Sequence, residues 1–337
     1  MAESITVVSE KPKLPTLWLD TSVGIKVAKV HRGEKLQDIE TDRVKRLFEI
    51  VTRLVGEGKL LCPEADQDEE YEAERLEREI ANEFRLLSLG IRLVHRAGIL
   101  DHQIYYAMKA YCRREYKIQI PCEVYFHRDP VGDLELRRKQ KFLFRINRSI
   151  PPELLEERRA AKEETVRRWE ELRRKLVAEG ARYQDQLDLE LKSQADTMVE
   201  MVTAYMKKVQ AGSATFSDFM GVSGWGVYAA YWKHLGCQPR GFDGLFDFLR
   251  SNHIAAVPSW SVNAKICADL MTGTEPISSS DPMDVELLSI AVPLAHYVLA
   301  DRNMEARLKR LGLDREWGTQ IFSMRTIDSL FAEIERL

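Results

Sequence analysis

The stretch SDPMDVELLSIAVPLAHYVLADRN, residues 280–303, decides how the chain is read. Asp281-Pro282 is a helix start. An aspartate cap accepts orphan amides, and a proline at the first helical position has no amide to leave unpaired. Asp284 falls in the first turn, where the helix dipole favours negative charge. Leu287, Leu288, Ala291 and Val292 carry the helix to Pro293. HYVLA, 296–300, then has the apolar, β-branched character of a short strand, and Asp301 ends it. Capping alone accounts for Asp281 and Asp284. The carboxylate that closes a buried strand asks for a further reason.

The same event occurs near the other end of the chain. In KLPTLWLD, 13–20, a short apolar run ends in Asp20, after a polar tail over the first ten residues. Thr41 to Val55 repeats apolar residues at helical spacing, with Gly56 and Gly58 as stops. KLLCP, 59–63, reads as a second strand closed by Pro63. An acidic helix with Leu76, Ile80, Phe84 and Leu87 on one face follows. Towards the C-terminus, FDGLFDFLRS reads as a helix and HIAAVP, 253–258, as a third strand. SVNAKICADLMTG is a helix stopped by Gly273, and TQIFS is a strand before the helix TIDSLFAEIERL. Strands alternating with helices at both ends predict a parallel sheet flanked by helices in three α/β/α layers.

The middle departs from that alternation. From about 100 to 240 the patterns are mostly helical, so the chain divides into 1–100, a helical insertion over 101–240, and 241–337. PPELLEERRAAKEETVRRWEELRRKLVAEG, 151–180, is dense in alternating charge with sparse apolar positions. It predicts a long exposed arm, half of a helical hairpin, suited to a partner protein or self-association. GVSGWGVYAAYWKHLG, 221–236, is best explained as core packing and a turn. No internal repeat or low-complexity tract stands out.

Composition narrows the function classes. Apolar residues are 45% of 337, enough for a sizeable core, and the net charge of −3 excludes a bulk-basic nucleic-acid binder. The five cysteines show no CxxC spacing, which predicts reduced thiols rather than a zinc site or a disulfide framework. With no apolar leader and no 18-residue apolar run, the expectation is a soluble cytoplasmic protein with no membrane partner.

If the sheet is parallel, the carboxyl ends of its strands form the ligand-binding edge. Asp20 and Asp301 end strands there, Asp284 opens a helix from the same edge, and PEADQDEEYEAE, 63–74, follows the second strand onto it. Clustered carboxylates repel one another unless a cation neutralises them, and oxygen-only donors select hard ions such as Mg²⁺ or Mn²⁺.

This ordered set resembles the PIN-like nuclease family. LWLDTS is similar to the family's first strand with its terminal Asp, and DVELLSIAVPLAHYVLADRNM to the segment carrying its later acids, Asp284 and Asp301, seventeen residues apart. The resemblance covers about 14–80 and 240–337 and leaves the helical middle unexplained. It implies a PIN-like α/β fold and metal-dependent hydrolysis of phosphodiesters. RNA is the expected substrate ahead of DNA, and a toxin or antiviral defence effector a fitting setting. Asp20, Asp284 and Asp301 would be metal ligands and Glu70 a fourth ligand or the orienter of water. Two departures from the pattern stand out. Several glutamates, Glu64, Glu69, Glu70, Glu72 and Glu74, compete for the fourth place, with Glu69 next after Glu70. His296 stands where many relatives have Asp, and it could touch a metal or the phosphate or, the reading preferred, be a buried strand histidine. Asp281, Ser22 and Thr21 are further neighbours of the acids.

An acidic site that takes a polyanion needs flanking cations. RRKQKFLFRINR, 137–148, offers Arg137, Arg138, Lys139, Lys141, Arg145 and Arg148 with Phe142 and Phe144 between them, the mixture that binds phosphates and stacks bases. A helix or strand with a basic solvated face over buried rings is the slightly preferred explanation. Two rival functions remain. A silent PIN-like scaffold would bind a partner through the arm. A phosphoaspartate phosphatase would need a DxD pair, where this chain has DTS.

Overall fold

The computed structural model describes residues 4–67, 77–140, 152–215, 218 and 224–337. The chain is a mixed α/β structure in which helices flank two small parallel sheets. In the first sheet β2 (Leu17–Leu19), β4 (Tyr297–Leu299) and β5 (Gln320–Phe322) lie side by side, β4 central, in the register Leu17 to Tyr297 to Gln320. The core-facing residues Leu17, Leu19, Val298, Leu299 and Ile321 are almost wholly buried. Parallel strands covered on both faces become continuous apolar runs of this kind. Beyond β2, Thr16 bridges Leu61 and Glu64 bridges Arg92, both parallel. The KLLCP segment therefore lies on the sheet, joined by single bridges rather than as a full strand.

Helices make the crossovers. After β2 come α1 (Thr21–His31) and α2 (Asp38–Glu57), the second stopped by Gly58 at φ 75°. α3 (Glu77–Ser88) packs Ile80, Phe84 and Leu87 into the core, and α4 (Arg96–Cys112) follows. β3 (Lys117–Ile120), α5 (Pro130–Lys139), α6 (Pro152–Ala178), α7 (Tyr183–Gln210) and α8 (Gly224–His234) make up most of the middle. α9 (Phe242–Leu249), the single turn α10 (Asn252–Ala255), α11 (Pro258–Thr272) and α12 (Asp281–Leu294) lead into β4. α13 (Arg302–Arg310) and α14 (Leu313–Trp317) connect β4 to β5, and α15 (Ile327–Ile334) ends the described chain.

Four expectations are corrected. The first ten residues are not merely a polar tail: β1 (Thr6–Ser9) pairs in parallel with β3 as the second sheet. Lys11 then reaches under the first sheet, where its Nζ donates to the carbonyls of Ala295 (2.7 Å) and Gly318 (2.8 Å) and to Thr319 Oγ1 (2.9 Å). Burial pulls its pKa down to about 8. HIAAVP is not a strand. Ser251 Oγ caps the turn at His253, and Pro258 opens the next helix. A short buried apolar run has no periodicity that separates the two states.

The cysteine reading also changes, because Cys112 at the end of α4 pairs as a disulfide with Cys237, 125 positions away. Finally, the charged arm is folded onto its own core. The hairpin of α6 and α7 does form, but Val166 and Trp169 pack against the cluster around α11 and α12. Ala195, Val199 and Val202 of α7 join the main apolar core. Long charged side chains cover apolar surface with their stems, so a sparse stripe understated what this hairpin buries. Among the described residues no helix is long and apolar enough to cross a membrane.

Candidate functional site

The carboxyl ends of β2 and β4 are joined by a hydrogen bond from the Asp20 amide to the Leu299 carbonyl, 2.9 Å. Asp20 and Asp301 therefore leave adjacent strands at neighbouring points of one edge. Each begins a helix. Asp20 Oδ1 accepts the Ser22 amide at 2.7 Å, and Asp301 Oδ1 accepts those of Asn303 (2.6 Å) and Met304 (3.0 Å). Side-chain capping of this kind satisfies amides that the first helical turn leaves orphaned. It uses one oxygen of each carboxylate. The backbone amides all go to Oδ1, and the Ser22 hydroxyl is a further hydrogen-bond partner of the Asp20 carboxylate.

Asp20 is 4% exposed. Desolvation is the largest influence on it and raises its pKa. The amide and hydroxyl of Ser22 oppose that, and the charge of Asp301 adds to the rise. A buried carboxyl whose ionised form is disfavoured beside a second acid suits a cation between them. Thr21, beside Asp20, has a buried hydroxyl with no partner among the described residues.

α12 runs away from the same edge, so its first turn lies on it. Asp281 is the first residue of the helix rather than its cap. Its Oδ2 turns back to accept the Ser278 amide at 2.6 Å, and Ser280 holds the cap position. Asp284 is 3% exposed and belongs to the same turn. Asp20 and Asp301 thus end adjacent strands, and Asp281 and Asp284 sit in the first turn of the helix that leads into the second of them. Among the described residues, however, no three acids, histidines or cysteines stand close enough to hold a metal ion as they are. Glu69 and Glu70 lie outside the described residues.

His296 goes elsewhere. It precedes β4, at the opposite end of the strand from Asp301, and its Nδ1 accepts the Thr16 amide at 3.1 Å. Burial, with Lys11 nearby, lowers its pKa and keeps it neutral. It sits just before the strand rather than in it, at the end away from Asp301.

Three residues of the edge were not singled out from the sequence. Gln67 Nε2 donates to the Leu19 carbonyl at 3.0 Å and locks the 64–67 loop beside Asp20. Asp66, in that loop, accepts the Arg96 amide at 2.8 Å. The Arg96 guanidinium reaches Asp66 (3.4 Å) and Glu286 of α12 (2.7 Å), tying the loop to α4 and α12. Glu305, in the first turn of α13, accepts from Lys309 (2.6 Å) and Thr326 (2.8 Å). Desolvation alone would raise its pKa, but bonds from Lys309, Ser323 and Thr326 outweigh it and leave the pKa lowered. The acids of PEADQDEE are crowded, and only the fold shows which of them turn inward. Glu64 does so, with Ser88 Oγ at 2.8 Å from Oε1.

The basic stretch is only partly a free surface. Arg137 Nε binds Asp133 (3.1 Å) and its Nη1 the Leu89 carbonyl (3.4 Å), while Arg138 Nε holds the Gly56 carbonyl (2.7 Å). Both arginines fasten α5 to neighbouring turns. Lys139 is exposed, and Lys141, Phe142, Phe144, Arg145 and Arg148 lie outside the described residues. A different group of cations lines a cavity on α6, with Arg167 and Arg174 paired to Glu171 and Glu170. This cavity of about 570 Å³ between α6 and residues 276–279 is lined by Arg159, Lys162, Arg167 and Arg174, together with Glu163 and Glu170. Ser279, in its lining, is two residues before Asp281 in the chain. No family model matches the chain, and no curated protein or solved structure does either.

Proposed function

We propose that the chain is a metal-dependent, PIN-like phosphodiesterase that cleaves nucleic acid, RNA ahead of DNA. The observation that carries this reading is the pair Asp20 and Asp301. They end adjacent parallel strands, joined by the bond from the Asp20 amide to the Leu299 carbonyl, and the buried Asp20 carboxyl, its pKa raised first by desolvation, also feels the charge of Asp301. That donor set fits a hard divalent ion, which when bound would polarise a phosphoryl oxygen and lower the pKa of a water.

The protein's own part is positioning. Asp20 and Asp301 are held by the helices they cap, so their carboxylates have fixed directions. Asp284 supplies a third carboxylate from α12, with Asp281 behind it. Glu70 remains the candidate fourth acid by its place after the second strand. The cavity beside α6 offers cations to a phosphate backbone, with Lys162 unpaired among the described residues.

The test is incubation of the purified chain with labelled single-stranded RNA, single-stranded DNA and duplex DNA, each with Mn²⁺, Mg²⁺ or EDTA. Cleavage of RNA with either metal is expected, with none in EDTA. Asp20→Asn and Asp301→Asn should each lower it at least a hundredfold with the circular dichroism spectrum unchanged. No cleavage by a folded chain, or full activity in Asp301→Asn, removes the reading and leaves both acids as helix caps.

A further inference from the structure

α4 turns into β3 through five exposed residues in succession, Arg113, Arg114, Glu115, Tyr116 and Lys117. With Tyr106 and Lys109 of α4 they line a cavity of about 640 Å³. Four of these residues are cations. Lys109 Nζ stands 5.7 Å over the Tyr106 ring, and Arg113 Nη1 lies 4.0 Å from Glu115 Oε1. Among the described residues Arg114 and Lys117 have no ion pair. Glu10 is the other carboxylate of the trough, and it accepts from Gln119 Nε2 at 2.6 Å.

The negative end of the α4 dipole explains Lys109 and Arg113, which lie in or beside its last turn. It does not explain Lys117, one turn further on and on the outward face of β3, where Ile118 and Ile120 point inward. Nor does it explain Arg114, whose φ of 57° is a left-handed conformation that glycine adopts more readily. A strained backbone position occupied by a cation fits selection for the side chain. Lys109 and Arg113 are one helical turn apart, about 6 Å along the axis. Cations so spaced, interleaved with an exposed tyrosine ring, match an extended strand whose phosphates and bases alternate. An acidic peptide would use the cations and leave the rings idle.

We propose that this trough is a second, non-catalytic site that holds single-stranded nucleic acid. α4 links it to the acidic edge. Arg96, bound to Asp66 there, and Cys112, beside the trough, are sixteen residues apart, about 24 Å along the helix. A strand engaging both places must be several nucleotides long, so the trough selects long substrates over short ones. That purpose rests on the nuclease reading. Binding itself does not.

The experiment measures binding with cleavage disabled. The full chain carrying Asp301→Asn, in EDTA, is titrated into a fluorescein-labelled 20-nucleotide oligouridylate and followed by anisotropy over a range of salt. Arg114→Ala with Lys117→Ala should weaken binding at least tenfold. It should also flatten the slope of log affinity against log salt by about 1.4, two contacts at roughly 0.7 each for a single strand. Tyr116→Ala should cost about tenfold with the slope kept. Arg114→Gly separates binding from folding, because it should weaken binding while the melting temperature holds or rises. Unchanged affinity and slope in the double variant overturn the proposal. So does equal binding of a duplex of the same length, or displacement of the strand by uridine monophosphate at equal nucleotide concentration. Failure of the nuclease reading is read separately, as uncleaved RNA with wild-type protein in Mn²⁺.

Discussion

Asp20 is a carboxyl buried in two ways at once, among apolar residues and beside another acid. Its raised pKa means that the folded state binds its proton more tightly than the unfolded state does. The sign follows from linkage. Stability falls as pH rises from the unfolded value towards the folded one, and the deficit persists at neutral pH. Asp20→Asn mimics the protonated form, keeps an oxygen for the Ser22 amide and removes the repulsion. It should therefore raise the melting temperature at pH 7 slightly, by roughly one to two degrees, and this gain should vanish on acidification to pH 3. A divalent ion should reverse the ranking. Millimolar Mn²⁺ should raise the melting temperature of the wild type and leave Asp20→Asn unmoved, because an ion that binds only the folded state stabilises it by mass action. Calorimetry at two pH values, with and without Mn²⁺, checks both. A variant less stable than wild type at pH 7 in EDTA would show that the carboxylate is principally a cap. Asp20 and Asp301 were legible in the sequence because each closes an apolar run. Their caps were not, since the amides they accept belong to helices whose starts the pattern left open. Asp66 and Gln67 were hidden among many acids, and inward direction is a property of the folded loop.

Helices were legible wherever spacing and stop signals agreed, as in α2, where Leu47, Val51, Leu54 and Val55 lie on the buried face and Gly58 turns the chain. The signals failed where partners are distant. Thr6–Ser9 reads as tail because four polar and β-branched residues carry no period, and it becomes a strand only against Lys117–Ile120. The bond between Cys112 and Cys237 is of the same kind, a pairing between the end of α4 and the turn joining α8 to α9. By closing a loop of 125 residues, it removes conformational freedom from the unfolded chain, an effect of about 4–5 kcal/mol in the chain-entropy account. Treatment with a phosphine reductant should therefore lower the melting temperature by roughly six degrees. Cys112→Ser should melt where the reduced wild type does and ignore the reductant. The third outcome, oxidised and reduced chains melting together, would mean that the two thiols do not bond in solution. Cys62 and Cys267, both buried with thiol pKa values pushed far up by desolvation, should resist alkylation in either state.

The chain's apolar core is shared between segments that the sequence divided. Leu17 and Leu19 of β2, Val199 and Val202 of α7, Trp232 of α8 and Phe331 of α15 belong to one buried cluster. The stretch 101–240 is thus part of what holds the acidic edge in place. α11, which lies against both arms of the hairpin, is wrapped on every side and its Ala264 and Ala268 are fully buried. Small residues there let α7 approach, and Leu187 fills the contact, with Tyr183 and Leu191 beside it. Arg173 of α6 is bound on the other side, with Nη1 donating to the Gly273 carbonyl at 3.0 Å and Nη2 paired with Glu170 at 2.7 Å. Glu170 in turn accepts the Ile277 amide at 3.0 Å, which fixes the loop that leads into Asp281 and Asp284. The arm therefore positions the first turn of α12, and damage to it should reach the acids. Leu187→Ala should cost about 2–5 kcal/mol of stability through the cavity it leaves. Glu170→Gln should cost less stability, yet it frees residues 276–280 and should lower cleavage by disturbing Asp281 and Asp284 rather than by loss of fold. Melting curves beside cleavage rates for the two variants separate the effects. A hairpin that served only as a dock for another protein would give a different result: Glu170→Gln would cleave at the wild-type rate, and excision of residues 152–210 would leave a folded, active chain.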